Sequence, residues 1–213
     1  MAQIVVLAGT NGAGKSSVGG EALLRAGARF FNPDLETRNI LAEYPGMSLD
    51  EANALAWNKG AELLRRAIDG DLDYAFETTL GGKTITDLLI EASRRGMTVR
   101  MWYCGLTSPE LHIERVAARV AAGGHDIPEH KIRERYDASR ANLIRLLPHL
   151  EELRVFDNSE NTSPETLPEA GAAPALLLAT RRGRVSYIDS GRMQEWVKPI
   201  AAAAMQIGFD AAR

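Results

Sequence analysis

Short apolar runs alternate with helical stripes along this chain. The runs occupy residues 4–8, 29–32, 74–77, 98–105 and 153–157. Their length and their β-branched and aromatic content read as buried strands, and the stretches between them have helical periodicity. Ser48 followed by Glu51 forms a capping box, with Leu55, Leu63, Leu64 and Ala67 as the stripe behind it. Ser108 before Pro109 is an N-cap with proline at the first helical position. Ile113, Val116, Ala117 and Val120 then have the i, i+3, i+4, i+7 spacing of a core-facing helix. Gly123-Gly124 stops that helix, and Asp126 with Glu129 starts the next, whose apolar face is Ile132, Tyr136, Leu143 and Leu147. Strands alternating with helices predict a three-layer α/β fold with a mainly parallel sheet.

After residue 157 the texture changes. Residues 158–174 are rich in Ser, Pro, Glu and Ala and read as a connection. Residues 175–180 and 185–189 flank Arg181-Arg182-Gly183-Arg184 as a hairpin with a solvated basic turn, and 192–207 form a terminal helix. The expected organisation is a core over 1–158 and a C-terminal connection, hairpin and helix over 159–213 packed on it.

At 213 residues the chain suits one domain, and 25% charged against 45% hydrophobic residues is ordinary for a globular protein. A net charge of −3 supplies no global basic field for nucleic acid or an anionic membrane, so neither is an expected partner. One cysteine, Cys104, excludes an intrachain disulfide or a cysteine zinc cage and reads as a buried strand residue. The first ten residues lack the basic and apolar regions of a signal peptide, and no window approaches a membrane span, so a cytoplasmic protein is expected.

The chemistry concentrates after the first run. Gly9-Thr10-Asn11-Gly12-Ala13-Gly14-Lys15-Ser16 matches G-x-x-x-x-G-K-[ST], with an apolar strand before it and a helical pattern running from Lys15 to Leu24. Glycines let backbone N–H groups converge on phosphate oxygens, and the helix N-terminus adds its positive end. Lys15, read as an exposed point charge, reaches the β- and γ-phosphates, and the Ser16 hydroxyl holds Mg²⁺. The residues from Gly9 to Ser17 are the candidate ATP site. No Asn-Lys-x-Asp follows an apolar strand, which leaves guanine specificity unsupported.

Two carboxylates end strands where α/β sheets open their ligand crevice. Asp34, in Asn32-Pro33-Asp34, is a general base for an acceptor hydroxyl, the N-cap of the helix that follows, or both. Glu77, before Thr78 and Thr79, faces the crevice or caps the next helix. Six arginines, at 115, 119, 133, 135, 140 and 145, surround Gly123-Gly124-His125-Asp126, a candidate hinge of a lid spanning about 108–147. Arg119, Arg133 and Arg135 are placed to neutralise a transferred phosphoryl group. Arg115, Arg140 and Arg145 read as solvated or paired with carboxylates such as Asp137. His125 and His130 read as hinge or lid contacts rather than metal ligands.

Taken together, GTNGAGKSS, FNPD, FETT and RVAARVAAGGHDIPEHKIRERY resemble the zeta-toxin-like P-loop kinases, particularly their short stand-alone bacterial members. The resemblance covers about residues 3–158 in the same order. It implies a nucleotide-kinase-like sheet ordered 2-3-1-4-5 and ATP–Mg²⁺-dependent phosphorylation of a hydroxyl on a small acceptor. In the family's characterised toxins that acceptor is UDP-N-acetylglucosamine. The resemblance further implies Lys15 and Ser16 as phosphate and Mg²⁺ ligands and Asp34 as base. Glu77 and Thr79 would contact the acceptor, and Arg119 with Arg133 or Arg135 would hold the transferred phosphate. An antitoxin partner is left open. A nucleotide-binding switch without acceptor chemistry, and a nucleoside or antibiotic kinase, are the alternative readings.

Overall fold

The computed structural model describes residues 1–15, 30–160 and 174–210. Seven strands form one sheet: β1 (Gln3–Ala8), β2 (Phe30–Phe31), β3 (Tyr74–Thr78), β4 (Thr98–Gly105), β5 (Glu152–Asp157), β6 (Ala175–Arg181) and β7 (Arg184–Ile188). Among the described residues six α-helices flank it: α1 (Pro33–Glu43), α2 (Leu49–Asp69), α3 (Lys83–Arg94), α4 (Pro109–Ala121), α5 (Glu129–Leu146) and α6 (Lys198–Asp210). The helix expected after Lys15, with Ser16 and Ser17 in it, lies outside the described residues.

The order is β2-β3-β1-β4-β5-β6-β7. The first five strands are parallel in the expected 2-3-1-4-5 arrangement, and the hairpin continues the sheet antiparallel from β5. Strand order reverses at β1, which lies between β3 and β4, and that switch point opens a crevice at the strands' C-terminal ends. Ile4, Val6, Leu7, Ala8, Met101 and Leu153 are fully buried, as a sheet covered on both faces requires. Among the described residues no helix is long and apolar enough to cross a membrane.

Local signals set several element ends. Ser48 and Glu51 make both bonds of the capping box, and Ser108 caps α4 by accepting from the Leu111 N–H. Gly123, at φ +90°, closes α4 in a Schellman motif: its N–H bonds the Val120 carbonyl, and that of Gly124 bonds the Arg119 carbonyl. At the hairpin tip, Arg182 and Gly183 both have positive φ, the geometry of a two-residue type I′ turn.

Other expectations need correction. Asn32 is not a strand residue but the N-cap of α1, which starts one residue later at Pro33. Asp126 does not cap α5; its carboxylate takes the next N–H, that of Ile127, and Pro128 leads directly into the helix. The buried stripe of α2 is Ala52, Ala56, Gly60, Ala61, Leu64, Ala67 and Ile68, while Leu55 is exposed. The reason is that the first half of α2 packs on α1 through small residues and a Thr37–Asn53 hydrogen bond of 3.1 Å. The terminal helix starts at Lys198 rather than 192 because the chain first turns at Asp189, whose carboxylate accepts the N–H groups of Gly191 and Arg192.

That turn delivers Trp196 to the core. Its indole N–H donates to Asp157 Oδ1 at 3.0 Å, and its ring lies over Gly105, where a Cβ would sit 2.5 Å from it. The residue is only 3% exposed. Trp196→Ala is expected to destabilise the protein by about 3–5 kcal/mol in denaturant unfolding. A loss near zero would show that the C-terminal segment is an appendage and not part of the core.

Candidate active site

The loop after β1 is held by glycine geometry. Gly9 has φ +141°, and a Cβ there would lie 2.1 Å from the Cys104 carbonyl oxygen. Gly12 and Gly14 also have positive φ. Three loop carbonyls are tied down. The Gly9 oxygen accepts from Lys15 Nζ at 2.9 Å, and the Asn11 oxygen bonds His112 Nδ1 at 2.7 Å. The Ala13 oxygen accepts from both Cys104 Sγ and Asn158 Nδ2 at 3.0 Å. Burial pushes the Cys104 thiol up to about 12, so it serves as a neutral donor and not as a nucleophile. With its carbonyls committed to the core and its glycines in left-handed geometry, a loop of this kind presents N–H groups to an anion.

Lys15 is not exposed. It is 7% accessible and sits 3.3 Å from Glu77 Oε1, itself 9% accessible at the end of β3. The other carboxylate oxygen of Glu77 accepts from Asn32 Nδ2 at 3.1 Å. Glu77 therefore caps no helix; α3 is preceded by Gly82, without a side-chain cap. Nor does Asp34 cap α1, because Asn32 Oδ1 takes the Leu35 N–H at 3.1 Å.

Asp34 stands in the first turn of α1, facing the junction of α4 and α5. Arg119 Nη1 lies 3.4 Å from its Oδ2, and His125 Nε2 lies 3.8 Å from its Oδ1. Gly124 is required beside Arg119, since a Cβ would meet that side chain and its carbonyl at 2.8 Å. From α5, Arg135 donates to Asn11 Oδ1 at 2.8 Å, and Thr10 Oγ donates to the Arg135 carbonyl at 3.4 Å. Burial lowers the Arg135 pKa, and the Asp34 charge opposes that shift. A Cβ on Gly81 would come within 2.9 Å of the Arg135 side chain and 3.6 Å of Thr79 Oγ1.

Lys15, Glu77, Thr79, Asp34, Arg119 and Arg135 thus line one crevice mouth. Arg133 is not there: it pairs with Glu110 at 2.6 Å on the exposed side, joining α4 to α5. Arg140 pairs with Asp137, and Arg145 pairs with Asp87 at 2.7 Å. Arg115 donates to the Asn158 carbonyl at 2.7 Å. Four residues outside the sequence candidates hold the site. Asn32 and Asn158 bind Glu77 and Ala13, His112 binds Asn11, and Asn142 Nδ2 donates to the Leu80 carbonyl at 2.8 Å. The sequence signalled only the capping half of Asn32, through the proline that follows it.

No protein-family model matches the chain. An uncharacterised protein of Haemophilus influenzae is 31% identical over 133 residues, 60% of this chain and 88% of that protein. Among solved structures, the AvrRxo1-ORF1:-ORF2 complex with ATP is similar at a TM-score of 0.63 and 17% identity. The similarity covers 96% of this chain, which spans 64% of the length of that one. A structure from the PezAT toxin–antitoxin system of Streptococcus pneumoniae is similar at a TM-score of 0.54 and 15% identity, over 74% of this chain and 67% of that one. The fold is that of the P-loop kinases.

His112 makes the loop's support pH-dependent. Burial, with smaller contributions from Lys15, Arg115 and Arg140, outweighs the bond to Asn11 and lowers its pKa from 6.5 to about 4. The folded protein keeps the imidazole neutral, with the Nδ1 proton donated to the Asn11 carbonyl. Below pH 6.5 the unfolded chain binds a proton that the folded chain refuses until about pH 4. Stability is therefore full above that window and falls through it, by roughly 3 kcal/mol for a shift of this size. Urea unfolding at about pH 7.5 and about pH 4.5 checks this, with His112→Gln expected to flatten the difference.

Proposed function

We propose that this chain, which belongs to the same family as the uncharacterised Haemophilus influenzae protein, is an ATP-dependent kinase acting on a hydroxyl of a small acceptor. The observation that carries the reading is the convergence of Lys15, Asp34, Arg119 and Arg135 on one crevice mouth at the sheet's switch point. Phosphoryl transfer asks little covalent chemistry of a protein. It asks for cations around the phosphate and a carboxylate beside the attacking hydroxyl.

In this reading the loop from Gly9 to Ser16 takes the triphosphate, and Lys15 exchanges Gly9 and Glu77 for phosphate oxygens. The positive φ values of Gly12 and Gly14 fit an anion-binding loop. Mg²⁺ suits a donor set in which phosphate, water and the Ser16 hydroxyl supply hard oxygens, and it would neutralise phosphate charge there. Asp34 accepts the proton of the acceptor hydroxyl. Arg119 and Arg135 offset charge on the phosphoryl oxygens, and of the two α5 candidates Arg135 is the one beside the loop. Glu77 and Thr79 hydrogen-bond the acceptor. The α4–α5 pair acts as a lid with Gly123-Gly124 as its hinge. The zeta-toxin resemblance makes a UDP-N-acetyl sugar the first acceptor to try.

Lys15→Ala is expected to abolish tight Mg-ATP binding in calorimetry. It also removes the partner of a buried carboxylate, a change that costs about 3–5 kcal/mol. Adding Glu77→Gln should restore much of that stability without restoring binding. Wild-type affinity in the single variant would sink the phosphate-site assignment. Asp34→Asn tests the base. Because Asn32 is the cap, the helix is unaffected, so Mg-ATP should bind nearly as before while transfer falls about 10²- to 10⁴-fold. Mass spectrometry of a metabolite extract incubated with ATP identifies the acceptor, and undiminished transfer by the variant would exclude Asp34 as base.

A further inference from the structure

Asn32 links the candidate base to the phosphate lysine with one side chain. Its Oδ1 accepts the Leu35 N–H at 3.1 Å and so fixes the first turn of α1, where Asp34 stands. Its Nδ2 donates to Glu77 Oε2 at 3.1 Å, and the remaining Glu77 oxygen lies 3.3 Å from Lys15 Nζ. Only this orientation of the amide satisfies both neighbours, because a carboxylate only accepts and a backbone N–H only donates. Aspartate and serine cap a helix as well as asparagine does. Capping therefore does not explain the amide; the second bond does.

We propose that Asn32 is a positioning residue that holds α1, and with it Asp34, in register with Lys15 through Glu77. The inference rests on the kinase reading and deepens it. When phosphate takes Lys15, Glu77 loses its cation, and Asn32 is then the group that keeps the carboxylate at the end of β3. Without the amide the helix keeps its cap but loses its tie to the lysine. A misplacement of about 1 Å is enough to slow transfer on the order of 10²-fold.

The test uses the full chain, ATP, and water as the acceptor, so that no substrate need be known. N32S and N32D both retain a cap and remove the amide donor. Both should bind Mg-ATP within about threefold of wild type, whereas hydrolysis at saturating ATP should fall about 10- to 100-fold. N32D adds a readout that a purely capping role would not move. The carboxyl it introduces faces Glu77, and two carboxylates so placed retain one proton to unusually high pH. Once protonated, that carboxyl can donate to Glu77 again. The deficit of N32D relative to wild type should therefore narrow as the pH falls from about 8 to about 5, while that of N32S stays constant. Hydrolysis equal to wild type in both variants at every pH overturns the proposal and leaves the kinase reading standing. A wild-type protein that neither binds nor hydrolyses ATP overturns both.

Discussion

A lysine ammonium buried against a glutamate at the end of β3 governs this crevice. Two charges taken from water are tolerable only where each is also hydrogen-bonded, and here both are. Lys15 has the Gly9 carbonyl, and Glu77 has the Asn32 amide. The pair sits where β1 and β3 run parallel, with Leu7 beside Glu77 in the register. Because Gly9 lies directly against the Cys104 carbonyl, β4 fixes the other side of the loop. The parallel sheet at its switch point is thus the frame that sets a cation and a carboxylate 3.3 Å apart.

The C-terminal hairpin and helix belong to the same frame. Asp157 ends β5 and takes the Trp196 indole N–H, while the next residue, Asn158, reaches back to the Ala13 carbonyl of the loop. Ser159 continues the arrangement by donating its hydroxyl to Asp157 and accepting the Thr107 N–H. Three consecutive residues therefore connect the last parallel strand, the loop after β1 and the C-terminal turn. A buried polar chain of this kind is costly when half-satisfied, so it favours one arrangement of the C-terminal segment on the core.

What was legible in the sequence follows the range of the interaction. Capping and helix-stop signals act within five residues, and Ser48–Glu51, Ser108–Pro109 and Gly123–Gly124 all read correctly. The strand order likewise followed from alternating strands and helices with a nucleotide-kinase resemblance. The errors at Lys15 and His112 share a physical cause, a partner distant in sequence. Lys15 read as exposed because its partner Glu77 lies sixty-two positions further along the chain. Asp34 read as a candidate cap although the local signal, Asn32 before Pro33, points to Asn32, which takes that bond. His112 was invisible as a loop support, being an ordinary residue on the core face of α4 until α4 is placed against Asn11. The late start of α6 has the same origin, since Trp196 is drawn down to Asp157 before the helix can begin.

Arg119 places a geometric constraint on the proposed chemistry. Its guanidinium lies between Asp34 and the His125 carbonyl, and its buried Nε has no partner among the described residues. A phosphoryl group beside Arg119 would draw on the same guanidinium and weaken its single contact with Asp34. Phosphate entering the crevice competes with Asp34 for Arg119 just as it competes with Glu77 for Lys15. Each cation is thus held by a carboxylate that the proposed reaction needs elsewhere: Asp34 for the acceptor proton, Glu77 for the acceptor itself. Nucleotide binding would release both carboxylates together, and the acceptor would meet a completed site only after ATP is in place.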